Sequence, residues 1–176
     1  LNAMADAHES AGPAATDRSR YLAASSASEL ADWYYDEFQA ISLGHPLKET
    51  MRLKRKAMDR TISGYERVNS YGLQEFGTRA TNRLGHVYRQ LSIDLKASER
   101  PAGLDTLALE QYELLLEEQA WPFEEKAVSI HEANARRAWQ GTYDKWIESS
   151  FTALGQMMPA RWGKQESRVS FSREVR

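Results

Sequence analysis

His131 follows Glu124 and Glu125 by seven and six residues and directly precedes Glu132, a set of residue types that could hold a metal ion or run proton transfer. A di-iron helical bundle would need a glutamate three residues before an inward-facing histidine. The residue at that offset is Val128 before His131, Arg83 before His86 and Ser42 before His45. A helical histidine beside glutamates without that geometry reads as structural or solvated, so no catalytic, metal or cofactor residue is expected and the chain is read as a non-enzyme. The alternative is a helical bundle that binds a small molecule or metal, enzymatic through His131 and nearby glutamates. Cysteine is absent, which removes thiolate ligands and cysteine nucleophiles. No glycine-rich phosphate loop, nucleophile elbow or dinucleotide fingerprint occurs.

The remaining distinctive chemistry is that of binding. Trp33, Tyr34, Tyr35 and Phe38 are too closely spaced to share one helical stripe. Core packing accounts for most such clusters, yet some of these rings must face a second surface, and aromatic side chains are enriched where partners dock. The segment from Asp105 to Glu132 carries eight acids against Lys126 alone, and that from Lys48 to Arg60 six bases against Glu49 and Asp59. Two solvated helix faces or a pair of complementary docking patches would both produce these runs. The residues singled out for contact with a protein or peptide are Trp33, Tyr34, Tyr35, Arg52, Arg55, Glu117 and Glu124. Trp121, Trp139, Trp146 and Trp162 read as core or interhelix packing. A net charge of −2 and a pI near 6.1 give no positive field for nucleic acid.

These residues need a scaffold, and the periodicity makes it helical. Ser26 and Glu29 form a capping-box pattern for a helix burying Leu30, Trp33 or Tyr34, Phe38 and Ile41 and stopping at Gly44, with Asp17 to Ala24 adding a turn or two upstream. Pro46 fits the first turn of the next helix, whose face carries Leu47, Met51, Met58, Ile62 and Tyr65. A third helix spans about Leu73 to Ala97, with Gly72 a break or a bend before it and Glu99 to Gly103 a loop after it. Within it Gly77, Thr81 and Gly85 recur every four residues, and since helical glycine costs about 1 kcal/mol against alanine, another helix is expected to approach closely there. Tyr112, Leu116, Ala120, Phe123, Ala127, Ile130, Asn134 and Ala138 share an arc of about 80°, divided into two helices meeting at Trp121 and Pro122. Gly141 reads as a C-cap, Thr142 as an N-cap, and Pro159 limits the last helix.

The fold class is therefore all-α, antiparallel helical hairpins stacked as a degenerate array or a helical bundle. With 176 residues, 41% hydrophobic and 27% charged, one domain is expected. Its boundaries are residues 17–163, preceded by a disordered tag or linker over 1–16, where Leu1 to Ala3 look like a cloning remnant, and followed by a flexible tail over 164–176. No apolar run reaches the roughly 18–20 residues that cross a bilayer.

The stretch EQYELLLEEQAWPFEEKAVSIHEANARRAWQGTYDKWIESSFTAL, followed by MMPARW, resembles the carboxy-terminal portion of tetratricopeptide-repeat proteins of the proteobacterial cell envelope, and SERPAGL and YYDEFQAISLGHPLKETMRLKRKAMD are similar to the same proteins. The resemblance covers about Trp33 to Gly163. It implies a periplasmic helical-repeat scaffold that binds protein or peptide, in some members beside Exb/Tol-type energy-transducing machinery. A regular tetratricopeptide unit is a helix pair of about 34 residues, and only fragments of its signature, such as Ala120 with Ala127, stand in this chain.

Overall fold

The computed structural model describes residues 1–163, which form seven helices and no strand. The elements are α1 (Asn2–Ser10), α2 (Asp17–Ala40), α3 (Leu47–Ser70), α4 (Gln74–Lys96), α5 (Thr106–Ala135), α6 (Lys145–Met157) and α7 (Pro159–Trp162), with short 3₁₀ turns at Gly12–Ala14 and Arg136–Gln140. The all-α expectation holds. Each helix packs on the next, and α4 additionally touches α2 and α6, so that α2, α4 and α6 form one layer of a stack. Such nearest-neighbour order is that of stacked hairpins. At 24 residues each, α2 and α3 exceed the regular 34-residue pair.

Residues 1–16 are not a disordered linker. They carry α1, which seats Ala5 against α2. Arg67 on α3 ties α1 down, reaching Asp6 at 2.6 Å and Glu9 at 2.8 Å, while the Tyr71 hydroxyl donates to Glu9 at 2.9 Å. Hydrogen bonds from Arg67 and Tyr71 hold the Glu9 carboxyl below its usual range. The tail at 164–176 lies outside the described residues.

The start of α2 also differs from the capping box read at Ser26. Thr16 and Ser19 form the reciprocal box instead, with Ser19 N–H donating to Thr16 Oγ1 at 3.1 Å and Thr16 N–H to Ser19 Oγ at 2.9 Å. Ser26 is buried inside the helix and donates to Met4 Sδ at 3.3 Å. Ala23, Ala24, Ala27, Ser28 and Ala31 make this face narrow enough for neighbours to close on it. The helix ends at Ala40, before Gly44.

Downstream, α3 begins after Pro46 and α4 has the expected limits. Between them Gly72 is a true break, with φ +67°, a left-handed conformation that glycine adopts without a Cβ clash. At the far end Gly141 caps with φ +85°, but the N-cap of α6 is Asp144, whose carboxylate accepts from Trp146 N–H at 2.9 Å and Ile147 N–H at 3.0 Å. Thr142 has no such role.

The division at Pro122 is overturned. α5 runs unbroken for 30 residues with Pro122 inside it. The missing N–H would have bonded to the Glu118 carbonyl, and both residues are exposed, so the gap in the ladder falls on the solvent side of α5. Leu116, Ala120 and Ala127 are buried on either side of the position, so packing against α4 carries the helix across it.

Candidate functional site

Three helices converge on His131, and none of the side chains that contact it is a glutamate. The ring is fully buried between α4, α5 and α6. Its Nδ1 lies 3.2 Å from Ser150 Oγ. That oxygen also accepts from Asn82 Nδ2 at 3.1 Å and Asn134 Nδ2 at 3.0 Å. The other ring nitrogen of His131, Nε2, is buried with no hydrogen-bond partner among the described residues. Asn134 Nδ2 further reaches the Thr78 carbonyl at 3.1 Å and the Trp146 carbonyl at 3.4 Å. His86 stands edge-on to His131 with ring centroids 4.9 Å apart. The arrangement is a buried polar knot that fixes how three helices meet.

The glutamates read alongside His131 are elsewhere. Glu124 accepts from Ser92 at 3.0 Å and from Lys96. Burial pushes its carboxyl up, but these hydrogen bonds outweigh burial and leave it below the usual range. Glu132 pairs with Arg161 at 2.9 Å and Arg136 at 3.7 Å. No cluster of three or more acidic, histidine or cysteine ligands occurs among the described residues.

Burial depresses both histidines, His131 to about 3 with His86 and Arg89 reinforcing it, and His86 to about 4 with Arg83 and Arg89 reinforcing it. Both are neutral at pH 7. In the unfolded chain each takes up a proton near its ordinary 6.5. Between that value and the folded ones the unfolded state binds more protons, so stability falls as pH falls. The expected loss is about 1.4 kcal/mol per pH unit for each histidine below pH 6.5, and a chemical-denaturation series from pH 7.5 to 5 checks it. His131→Asn should halve the slope in that window, and an unchanged slope would contradict this origin.

The seven partner-contact candidates do not form one site. Trp33 is 54% exposed and Tyr34 half-buried, and the Arg60 guanidinium covers both rings at 5.7 and 3.9 Å. Tyr35 is buried, its ring beneath Arg83 at 5.1 Å. That arginine belongs to a tether joining α2, α3 and α4, in which Asp32 of α2 receives Arg79 and Arg83 of α4 and the Tyr65 hydroxyl of α3 at 2.7 Å. Arg79 and Arg83 both stack at 5.4 Å on Trp146 of α6. Arg52 and Arg55 are exposed on α3 and Glu117 is exposed on α5. α3 and α5 are not a packed pair, because α4 lies between them, so the basic and acidic runs do not neutralise each other within the chain.

What the sequence reading missed is the bare face of α5. Along this helix of about 45 Å, α6 covers only about 20 Å near the C-terminal end. Where α6 and α7 stop, a groove of about 560 Å³ opens, lined by Ile93 and Lys96 of α4, Trp121, Glu125 and Val128 of α5, and Met157 and Met158. From there toward the α5 N-terminus the same face continues uncovered, with Trp121 60%, Leu114 61% and Leu107 65% exposed. Leu115 and Ile93 are also exposed. Large apolar residues gathered on one face mark an interaction surface more often than scattered ones.

Set against models of known families, curated proteins and solved structures, the chain matches none. Among the described residues no helix is long and apolar enough to cross a membrane.

Proposed function

We infer that the protein is a non-enzymatic helical scaffold that holds another protein or a peptide against the outer face of α5 and the groove between α4, α5 and α7. The observation that supports this reading is the uncovered apolar face running from Leu107 through Trp121 into the groove beside Met157. Leu107, Leu114 and Trp121 stand outside the core cluster. The sequence resemblance to envelope tetratricopeptide-repeat proteins points the reading to the bacterial periplasm and to Exb/Tol-type machinery as the class of partner. His131 is assigned a structural part in it.

The test is a combined Leu114→Arg and Trp121→Ala variant. Exposed substitutions change stability by about 0.5 kcal/mol or less, so its melting temperature should stay within about 2–4 °C of the parent. Saturable capture of a partner from a bacterial envelope fraction should fall by roughly tenfold or more, the loss of hot-spot contacts worth about 2 kcal/mol. Undiminished capture, or tight binding of a metal or small molecule that disappears in His131→Ala, would overturn the reading.

A further inference from the structure

Leu107, Leu114, Trp121 and Val128 succeed one another at seven-residue intervals along α5. On an α-helix that spacing drifts by about 20° per step, so the four lie within about 60° of arc. Together they form a straight seam, open to solvent over its first three members and entering the groove at Trp121 and Val128. Glu110 and Glu117 flank it on one side, Glu118 and Glu125 on the other. All four glutamates are exposed, and none makes an ion pair among the described residues. The seam resembles half of a helix pair, in which the apolar stripe drives association and the charges beside it choose the partner.

Resting on the reading of α5 as a docking face, we propose that its occupant is an amphipathic helix of another protein, with an apolar stripe bordered by lysine or arginine. Charge decides the sign. Four unpaired carboxylates beside an apolar seam would repel an acidic helix along its whole length and attract a basic one, an effect of encounter and specificity more than of raw affinity. A second copy of this chain fits less well. Its α3 offers Lys48, Arg52, Arg55 and Lys56 on one stripe, but its exposed leucine, Leu53, lies off that stripe.

Two labelled synthetic helices about four heptads long test this, identical in their leucine seam and differing only in lysine or glutamate at the flanking positions. The lysine-flanked peptide should bind the full chain roughly tenfold more tightly, with the margin shrinking as salt rises. A variant carrying Glu110→Lys, Glu117→Lys, Glu118→Lys and Glu125→Lys should prefer the glutamate-flanked peptide, its circular dichroism unchanged. Equal binding of the two peptides, a preference that survives the reversal, or sedimentation showing the seam buried in a dimer of this chain would overturn the proposal. If the peptides bind alike while Leu114→Arg still abolishes envelope capture, the docking face stands and only the basic helix falls.

Discussion

Lys54→Met is expected to remove about 3–5 kcal/mol of folding stability, the range for breaking one partner out of a buried charge pair. Lys54 on α3 is fully buried. Its ammonium donates to the Phe38 carbonyl at 2.8 Å and the Ile41 carbonyl at 2.7 Å, the open C-terminal end of α2. It lies 2.7 Å from Asp94 of α4 and 4.3 Å from the Phe38 ring centroid. One cation thus closes three helices: it satisfies carbonyls that have no partner inside α2, sits at the negative end of that helix's dipole, and neutralises a carboxylate. Methionine fills the volume but strips the Ile41 carbonyl of its donor, leaves the Phe38 carbonyl with only the Ile41 N–H at 3.3 Å, and takes the counter-ion from Asp94, which keeps only Gln90 at 2.8 Å. Adding Asp94→Asn should recover part of the loss, because the stranded charge goes with it. Urea unfolding of the parent, the single variant and the double variant checks this, and a single-variant loss under about 1 kcal/mol would contradict it.

Gly85→Ala is the second large effect. A Cβ at this position would lie 2.5 Å from His131 Nε2 and 2.7 Å from two ring carbons. The ring cannot retreat, since it is fully buried and held by Ser150. Alanine gains up to about 1 kcal/mol in helix propensity, but overpacking costs about 1–3 kcal/mol or more, and with three atoms inside contact distance the clash wins. A net loss of about 2 kcal/mol is expected. Gly77→Ala serves as the control: its Cβ would meet only the flexible ends of Arg137 and Asn69, at 3.3 and 3.6 Å, so propensity should prevail and the variant should be neutral or slightly stabilised. Thermal denaturation of both, with a double-mutant cycle of Gly85→Ala and His131→Ala, measures the coupling. Additive effects at 85 and 131 would contradict the close approach.

The boundaries legible in the sequence were those marked by residues that act alone. Pro46, Gly72 and Gly141 determine local backbone geometry whatever packs nearby, and α3, α4 and the 3₁₀ turn begin or end beside them. The small face at Gly85 was legible because glycine in mid-helix needs a neighbour to offset its cost. Features set by tertiary contact were not. α1 is held by Arg67, some sixty residues away in sequence, and Pro122 is tolerated because buried residues on both sides bind α5 to α4. Dividing α5 at Trp121 and Pro122 cut the seven-residue spacing of Leu107, Leu114, Trp121 and Val128 in half, and the seam disappeared from view. Arg52 and Arg55, expected to meet a partner, are solvated, and Tyr35 is buried. Of the seven residues chosen, Glu117 and Glu124 lie on α5, the former beside the seam and the latter in the groove.

The central claim is one of place, that the partner docks on the outer face of α5. A photo-crosslinking side chain inserted at position 114, 121 or 55 in turn, followed by irradiation in intact bacterial cells, tests it most directly. Crosslinks to one shared partner from positions 114 and 121, with none from position 55 on α3, are the result expected. Crosslinks from position 55 with silence at 114 and 121 would contradict it.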